Sequence, residues 1–178
     1  THPTQLITVS TMIASSAVRL AARHATMRQG AVLTHMRGAM RMPCRTMSST
    51  PYQTVSTPDA PSAIGPYSQA VVYNGTAYVS GCIPFDPKSM QLVEGGIEAQ
   101  AQRALDNLKA VVKASGSDVS HILKVNVFLK DMNDFATINA IYEKAFAPYK
   151  PARSAVEVAR LPKDVGVEIE CIAAVPPK

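Results

Sequence analysis

Residues 70–81 read AVVYNGTAYVSG, two runs of β-branched and aromatic residues joined by Asn74 and Gly75. Asn-Gly is the pair that most readily takes both positive φ angles of a type I′ turn, and the twist of that turn matches two paired strands. An antiparallel hairpin is therefore the fixed point around which the rest of the chain must be arranged. Downstream, Gly95-Gly96 closes a proline-containing loop, and 97–115 carries Ile97, Ala101, Ala104, Leu105, Leu108, Val111 and Val112 at helical spacing before Gly116. HILKVNVFLK (121–130) then alternates Leu123, Val125, Val127 and Leu129 with Lys124, Asn126, Phe128 and Lys130, which is the period of a strand. Asn133 is placed to cap a second helix with Phe135, Ile138, Ile141 or Tyr142, and Ala145 as its apolar stripe, stopped by Pro148 and Pro151. AVEVARL (155–161) and VGVEIECIAAV (165–175) read as two further strands around a turn at Pro162 to Asp164. The spacing predicts an α+β domain of order ββαβαββ, with no internal repeat.

Two helices cover one face of such a sheet. Several strands are nevertheless apolar on both faces: Val71, Val72 and Tyr73; Val156 and Val158 opposite Ala155 and Ala159; Ile172 beside Ala173. A bare apolar face costs on the order of 25 cal/mol per Å² kept in water, so another surface is expected to cover it. A second copy of the same sheet is the simplest cover, which predicts a closed homo-oligomer.

The basic charge of the chain is confined to its front third. Residues 1–58 hold six arginines (Arg19, Arg23, Arg28, Arg37, Arg41, Arg45), no lysine and no acid, leaving 12 bases against 13 acids in the remainder. This segment is also rich in Ser and Thr and has six of the eight methionines. Arg-rich, hydroxyl-rich and acid-free is the composition of an organellar presequence. Residues 1–50 are accordingly expected to be a mitochondrial targeting segment, processed near Arg45 to Ser48, and 51–178 the folded domain. A plastid or cytoplasmic location and a disordered basic arm that binds nucleic acid are the alternatives. No run reaches the roughly 18 apolar residues of a membrane span, so no membrane association is expected.

The inventory of the domain excludes much chemistry. Only His121, Cys82 and Cys171 remain of the histidines and cysteines after residue 58. A zinc site needs three or four clustered nitrogen and sulfur ligands, and a Ser or Cys nucleophile usually needs a histidine base. No phosphate-binding glycine loop occurs. Neither a metal nor an organic cofactor is expected. Carboxylates, arginines and tyrosines are left. The domain has three arginines, Arg103, Arg153 and Arg160, and nine lysines. Arg153 stands two residues after Pro151 and precedes a strand, a rigid base from which a guanidinium can receive a carboxylate; on the residues alone, a surface arginine at a strand entrance is the plainer reading. In VEIEC, alternation puts Glu168 and Glu170 on one face and Val167, Ile169 and Cys171 on the other. A pair of exposed carboxylates is the plain reading; if that face is buried in an oligomer, one of them needs a partner, and Arg153 is available.

IGPYSQA (64–70), SGCIP (80–84), VFLKDMNDFATINAIYE (127–143), PARSAVEVARLPKDV (151–165) and VEIECIA (167–173) occur in one order that closely resembles the Rid, or YjgF-type, reactive intermediate deaminases. The similarity runs from about Ser56 to Ala174. It implies a chorismate-mutase-like fold, a mixed sheet with two helices on one face, assembled as a homotrimer with a central barrel and sites between subunits. It implies hydrolysis of 2-iminobutanoate and 2-iminopropanoate, released by pyridoxal-phosphate enzymes, to 2-oxo acids and ammonia, protecting those enzymes. Carried over by position, Arg153 would grip the substrate carboxylate and Glu168 would hold the attacking water. Tyr67 would wall the pocket, Ser80 and Gly81 would form a bend beside the ligand, and Asn139 would help close the cleft. At Ala155 many relatives carry cysteine, so a covalent thiol mechanism is not implied, although the backbone there remains placed to touch the substrate nitrogen. Cys82 stands where relatives commonly have glutamine, and reads as an inert small residue or an oxidation-sensitive rim. Non-catalytic binding of small acids, a chaperone-like role and ribonuclease activity are the other functions attributed to the family. The near-neutral domain argues against the last, since RNA-backbone binding leans on many Lys and Arg contacts.

Overall fold

The computed structural model describes residues 51–177; the expected targeting segment, 1–50, lies outside the described residues. Six strands, β1 (Gln53–Val55), β2 (Ala70–Tyr73), β3 (Thr76–Cys82), β4 (Ile122–Leu129), β5 (Ala152–Glu157) and β6 (Val167–Ala174), alternate with two helices, α1 (Gly96–Ala114) and α2 (Phe135–Phe146). The sheet order is β1-β2-β3-β6-β4-β5. Only β4 and β5 are parallel, and α2 is the crossover between them. This is the α+β architecture the periodicities imply.

The β2–β3 hairpin turns at Asn74 and Gly75, with φ of 48° and 71°, the left-handed pair that a type I′ turn requires. Both helices bury their stripes against one face of the sheet. Leu105, Leu108, Val111 and Val112 of α1 and Ile138, Tyr142 and Phe146 of α2 share a core with Val125, Val127, Ile169 and Cys171. The opposite face keeps Tyr78 and Val156 46% and 43% exposed, among the polar Lys124, Asn126, Ser154, Glu168 and Glu170. Among the described residues only part of it is covered, where Phe128 packs on a small cluster of Phe85, Leu161 and Val165.

Four local features depart from the periodicity. β1, a three-residue edge strand beside β2, is too short to show a pattern. In β4 the register shifts between Ile122 and Lys124, so Ile122 is buried and Leu123 is 54% exposed; a bulge inserts one residue and reverses the inward set before it. Asp131, not Asn133, opens the second helical region: its carboxylate accepts from the Asn133 N–H at 2.8 Å, starting a single turn, Met132–Asp134, before α2. β5 begins at Ala152 rather than Ala155, immediately after Pro151, so Arg153 is inside the strand and pairs with Val125.

Candidate active site

Glu168 sits on the open face of β6, opposite a defect in β3. Val79 pairs with Cys171 and Cys82 with Ile169, leaving Ser80 and Gly81 together opposite Glu170. This bulge brings backbone up to the Glu168 side chain. A Cβ built on Gly81 would lie 1.7 Å from Glu168 Oε1, so only glycine leaves room for the carboxylate. Ser80 is held by its own bonds, its N–H donating to Gln69 O at 3.0 Å and its hydroxyl to Ser68 O at 2.7 Å. The Gln69 amide is itself buried and fully used: it accepts from Thr57 N–H and donates to the carbonyls of Thr57, Ala60 and Pro61. Ile64, Tyr67, Ile83 and Pro162 complete a hollow of about 370 Å³ around the carboxylate. The Tyr67 hydroxyl accepts from Ile64 N–H at 3.4 Å, and its ring remains half exposed.

Among the described residues Glu168 has no hydrogen-bond or ion-pair partner, whereas Glu170 accepts from Asn126 Nδ2 at 2.8 Å. Burial raises the Glu168 carboxyl above the usual carboxylate range, and the Glu170 charge pushes the same way. An unpartnered carboxylate of raised basicity in an apolar-walled hollow can accept a proton from water.

Arg153 belongs to a second hollow. Its Nη1 donates to Asn139 Oδ1 at 2.8 Å, and its guanidinium carbon lies 4.6 Å from the centre of the Tyr142 ring and 5.5 Å from that of Phe135. All three neighbours come from α2, where Asn139 and Tyr142, three residues apart, share a helix face. The groove here, about 480 Å³, is also walled by Pro148, Tyr149 and Lys150. No carboxylate pairs with Arg153 among the described residues, so most of its donor fork is uncommitted. Ala155, two residues along β5, shares its face and packs against the core.

These two groups do not meet within one chain. Arg153 pairs across β4 and β5 with Val125, while Glu168 pairs across β4 and β6 with Phe128. Val125 and Phe128, three residues apart on one strand, point to opposite faces. The structure thus brings Tyr67, Ser80, Gly81 and Glu168 together, and Asn139, Ala155 and Arg153 together, on opposite sides of the sheet.

Three contributors escaped the sequence reading. Tyr142 is legible there only as part of the apolar stripe, and Gln69 only as a residue of a motif. Asn107, fully buried on α1, donates from Nδ2 to Ile83 O and Phe85 O, both at 2.9 Å, and so fixes the loop that carries Ile83. Its signal was a polar residue inside an apolar helical stripe. Cys82 is buried behind the bulge rather than on an exposed rim; its thiol donates to Ser80 O, and burial raises its pKa far above that of a free thiol. Burial likewise raises Cys171, to about 12. No cluster of three or more His, Cys, Asp or Glu able to hold a metal occurs among the described residues, and no helix among them is long and apolar enough to cross a membrane.

The family model described as Endoribonuclease L-PSP matches residues 57–175. The chain is 52% identical over 124 residues to a 2-iminobutanoate/2-iminopropanoate deaminase of Salmonella typhimurium, covering 68% of this chain and 96% of that one. It is 49% identical over 121 residues to RutC family protein PH0854 of Pyrococcus horikoshii, covering 68% and 96%. Among solved structures, E. coli TdcF with bound serine superposes with a TM-score of 0.66 at 45% identity, over 68% of this chain and 98% of that one.

Proposed function

The chain belongs to the Endoribonuclease L-PSP family, to which the Rid proteins also belong, and from that premise we propose that it hydrolyses small 2-imino acids, 2-iminobutanoate and 2-iminopropanoate, to 2-oxo acids and ammonia. The observation that carries this reading is the Glu168 carboxylate, without a partner among the described residues and raised by burial, seated over Gly81 where no side chain fits beside it. The names of the deaminase relatives support the reaction, and the serine bound to TdcF supports a ligand with an amino-acid-like carboxylate. The site is formed between two copies in a homotrimer. Arg153, held by Asn139, comes from one copy; Glu168, Tyr67, Ser80 and Gly81 come from the next. The partly bare open face, with Tyr78 and Val156 exposed, supports assembly through that face.

In this site Arg153 binds the substrate carboxylate through two parallel charge-assisted hydrogen bonds and orients the iminium carbon. Glu168 takes a proton from water as the water oxygen bonds to that carbon, and the C=N electron pair moves to nitrogen. The resulting carbinolamine receives the proton from Glu168 on its amine. The C–N bond then breaks as the hydroxyl oxygen forms C=O and releases its proton, giving a 2-oxo acid and ammonium overall. Burial favours a proton on Glu168 at the intermediate, where it must serve as acid. The reaction consumes only water and calls for no metal or organic cofactor.

Residues 1–50 are proposed to be a mitochondrial targeting segment and 51–178 the catalytic domain. RNA cleavage, which the family's description carries, finds no support in a domain with more acids than bases.

The test is competition for a freshly generated imine. A threonine dehydratase releases 2-iminobutanoate in the presence of semicarbazide, and an active deaminase suppresses the trapped semicarbazone. Suppression by the parent is expected to fall by about a hundredfold in Arg153→Lys, because a point charge replaces the two-pronged fork. Equal suppression by the two proteins would remove Arg153 from the reaction.

A further inference from the structure

We propose that Tyr142 is a positioning residue, its ring serving as the platform that aims the Arg153 guanidinium at the ligand carboxylate. The inference rests on the reading of Arg153 as carboxylate receptor. Arginine brings a long side chain with many rotamers to a task that needs one orientation. The guanidinium carbon stands 4.6 Å from the Tyr142 centroid, closer than to Phe135 at 5.5 Å, and Asn139 Oδ1 takes one of its donors at 2.8 Å. A ring face and an acceptor fix the plane and the rotation of the fork together, which neither does alone. Tyr142 is itself immobilised, stacked on Phe146 with centroids 4.3 Å apart and almost entirely buried.

The hydroxyl of Tyr142 shows which part of the side chain matters. It is buried and has no hydrogen-bond partner among the described residues. Burying such a group without a partner is unfavourable, yet the ring lies at the guanidinium. The electron-rich face, not the hydroxyl, is therefore the functional part, and Arg153 in turn lowers the Tyr142 pKa against the dominant effect of burial, which raises it.

A substitution series separates this role from simple core packing. Tyr142→Phe keeps the face and removes the unpartnered hydroxyl; it is expected to keep parental affinity for 2-oxobutanoate in calorimetry and to melt no lower than the parent. Phenylalanines of increasing ring fluorination at position 142 keep the shape and drain the negative face. Across them the affinity is expected to weaken stepwise, by about three- to tenfold at the fully fluorinated ring, with kcat held and KM raised in imine competition. Core packing alone moves the melting temperature but not this slope. Affinity that stays flat through the series in folded protein overturns the proposal. If the parent neither binds the 2-oxo acid nor suppresses the semicarbazone, the underlying functional reading fails instead.

Discussion

Gly81 and Glu168 define each other. The carboxylate occupies the place a Cβ on residue 81 would take, so Gly81→Ala is expected to displace Glu168 by an ångström or more and to lower imine suppression by about a hundredfold. A folded Gly81→Ala protein of parental activity would show that Glu168 need not sit there. The alternation in VEIEC was enough to put Glu168 and Glu170 on one face, because period two is a property of any strand. What separates them was not legible: Asn126, from another strand, satisfies Glu170, and none of the described residues satisfies Glu168. The thiols behave in the same way. Their chemistry depends on burial contributed by distant residues, and burial raises both pKa values well above that of a free thiol. Peptide mapping after iodoacetamide at pH 8 is expected to find Cys82 and Cys171 unlabelled until denaturant is added; labelling in the native protein would contradict the packing behind the bulge.

Elements were legible where pattern and turn chemistry agree. The hairpin at Asn74-Gly75 and the α1 stripe follow from local rules, whereas bulges and strand starts depend on pairing. β5 is the telling case. Its apolar alternation from Ala155 onward hides the fact that parallel pairing with β4 begins at Ala152, which is why Arg153 lies within the strand rather than before it. Asn107 shows the converse, a helix residue whose role lies in a loop. Its two donors satisfy the carbonyls of Ile83 and Phe85, far away in sequence. Asn107→Ala leaves both carbonyls without that donor and opens a small void, so a loss of roughly 2–4 kcal/mol in chemical denaturation is expected. A loss below about 0.5 kcal/mol, the range of an ordinary surface substitution, would mean that the loop finds other donors and that Asn107 is not its strut.

At the scale of the whole molecule, Arg153 and Glu168 stand on opposite faces of one sheet, and no rotamer change brings them together. In the proposed function they converge only between copies of an assembly. Strands apolar on both faces led to the expectation of an oligomer, and Tyr78 and Val156 are exposed on the open face; which copy would supply which residue was not legible, because no short pattern encodes it. A shared site makes a demand that a site within one chain does not. In a closed ring, protein lacking Arg153 and protein lacking Glu168 are each inactive, yet each carries the half the other lacks. Arg153→Ala and Glu168→Ala chains, unfolded together in equal amounts and refolded, are expected to recover about a quarter of parental imine suppression, the fraction of random junctions that join two intact halves. If native mass spectrometry shows mixed oligomers and activity remains at the level of the separate variants, the site does not lie between copies and the account is wrong.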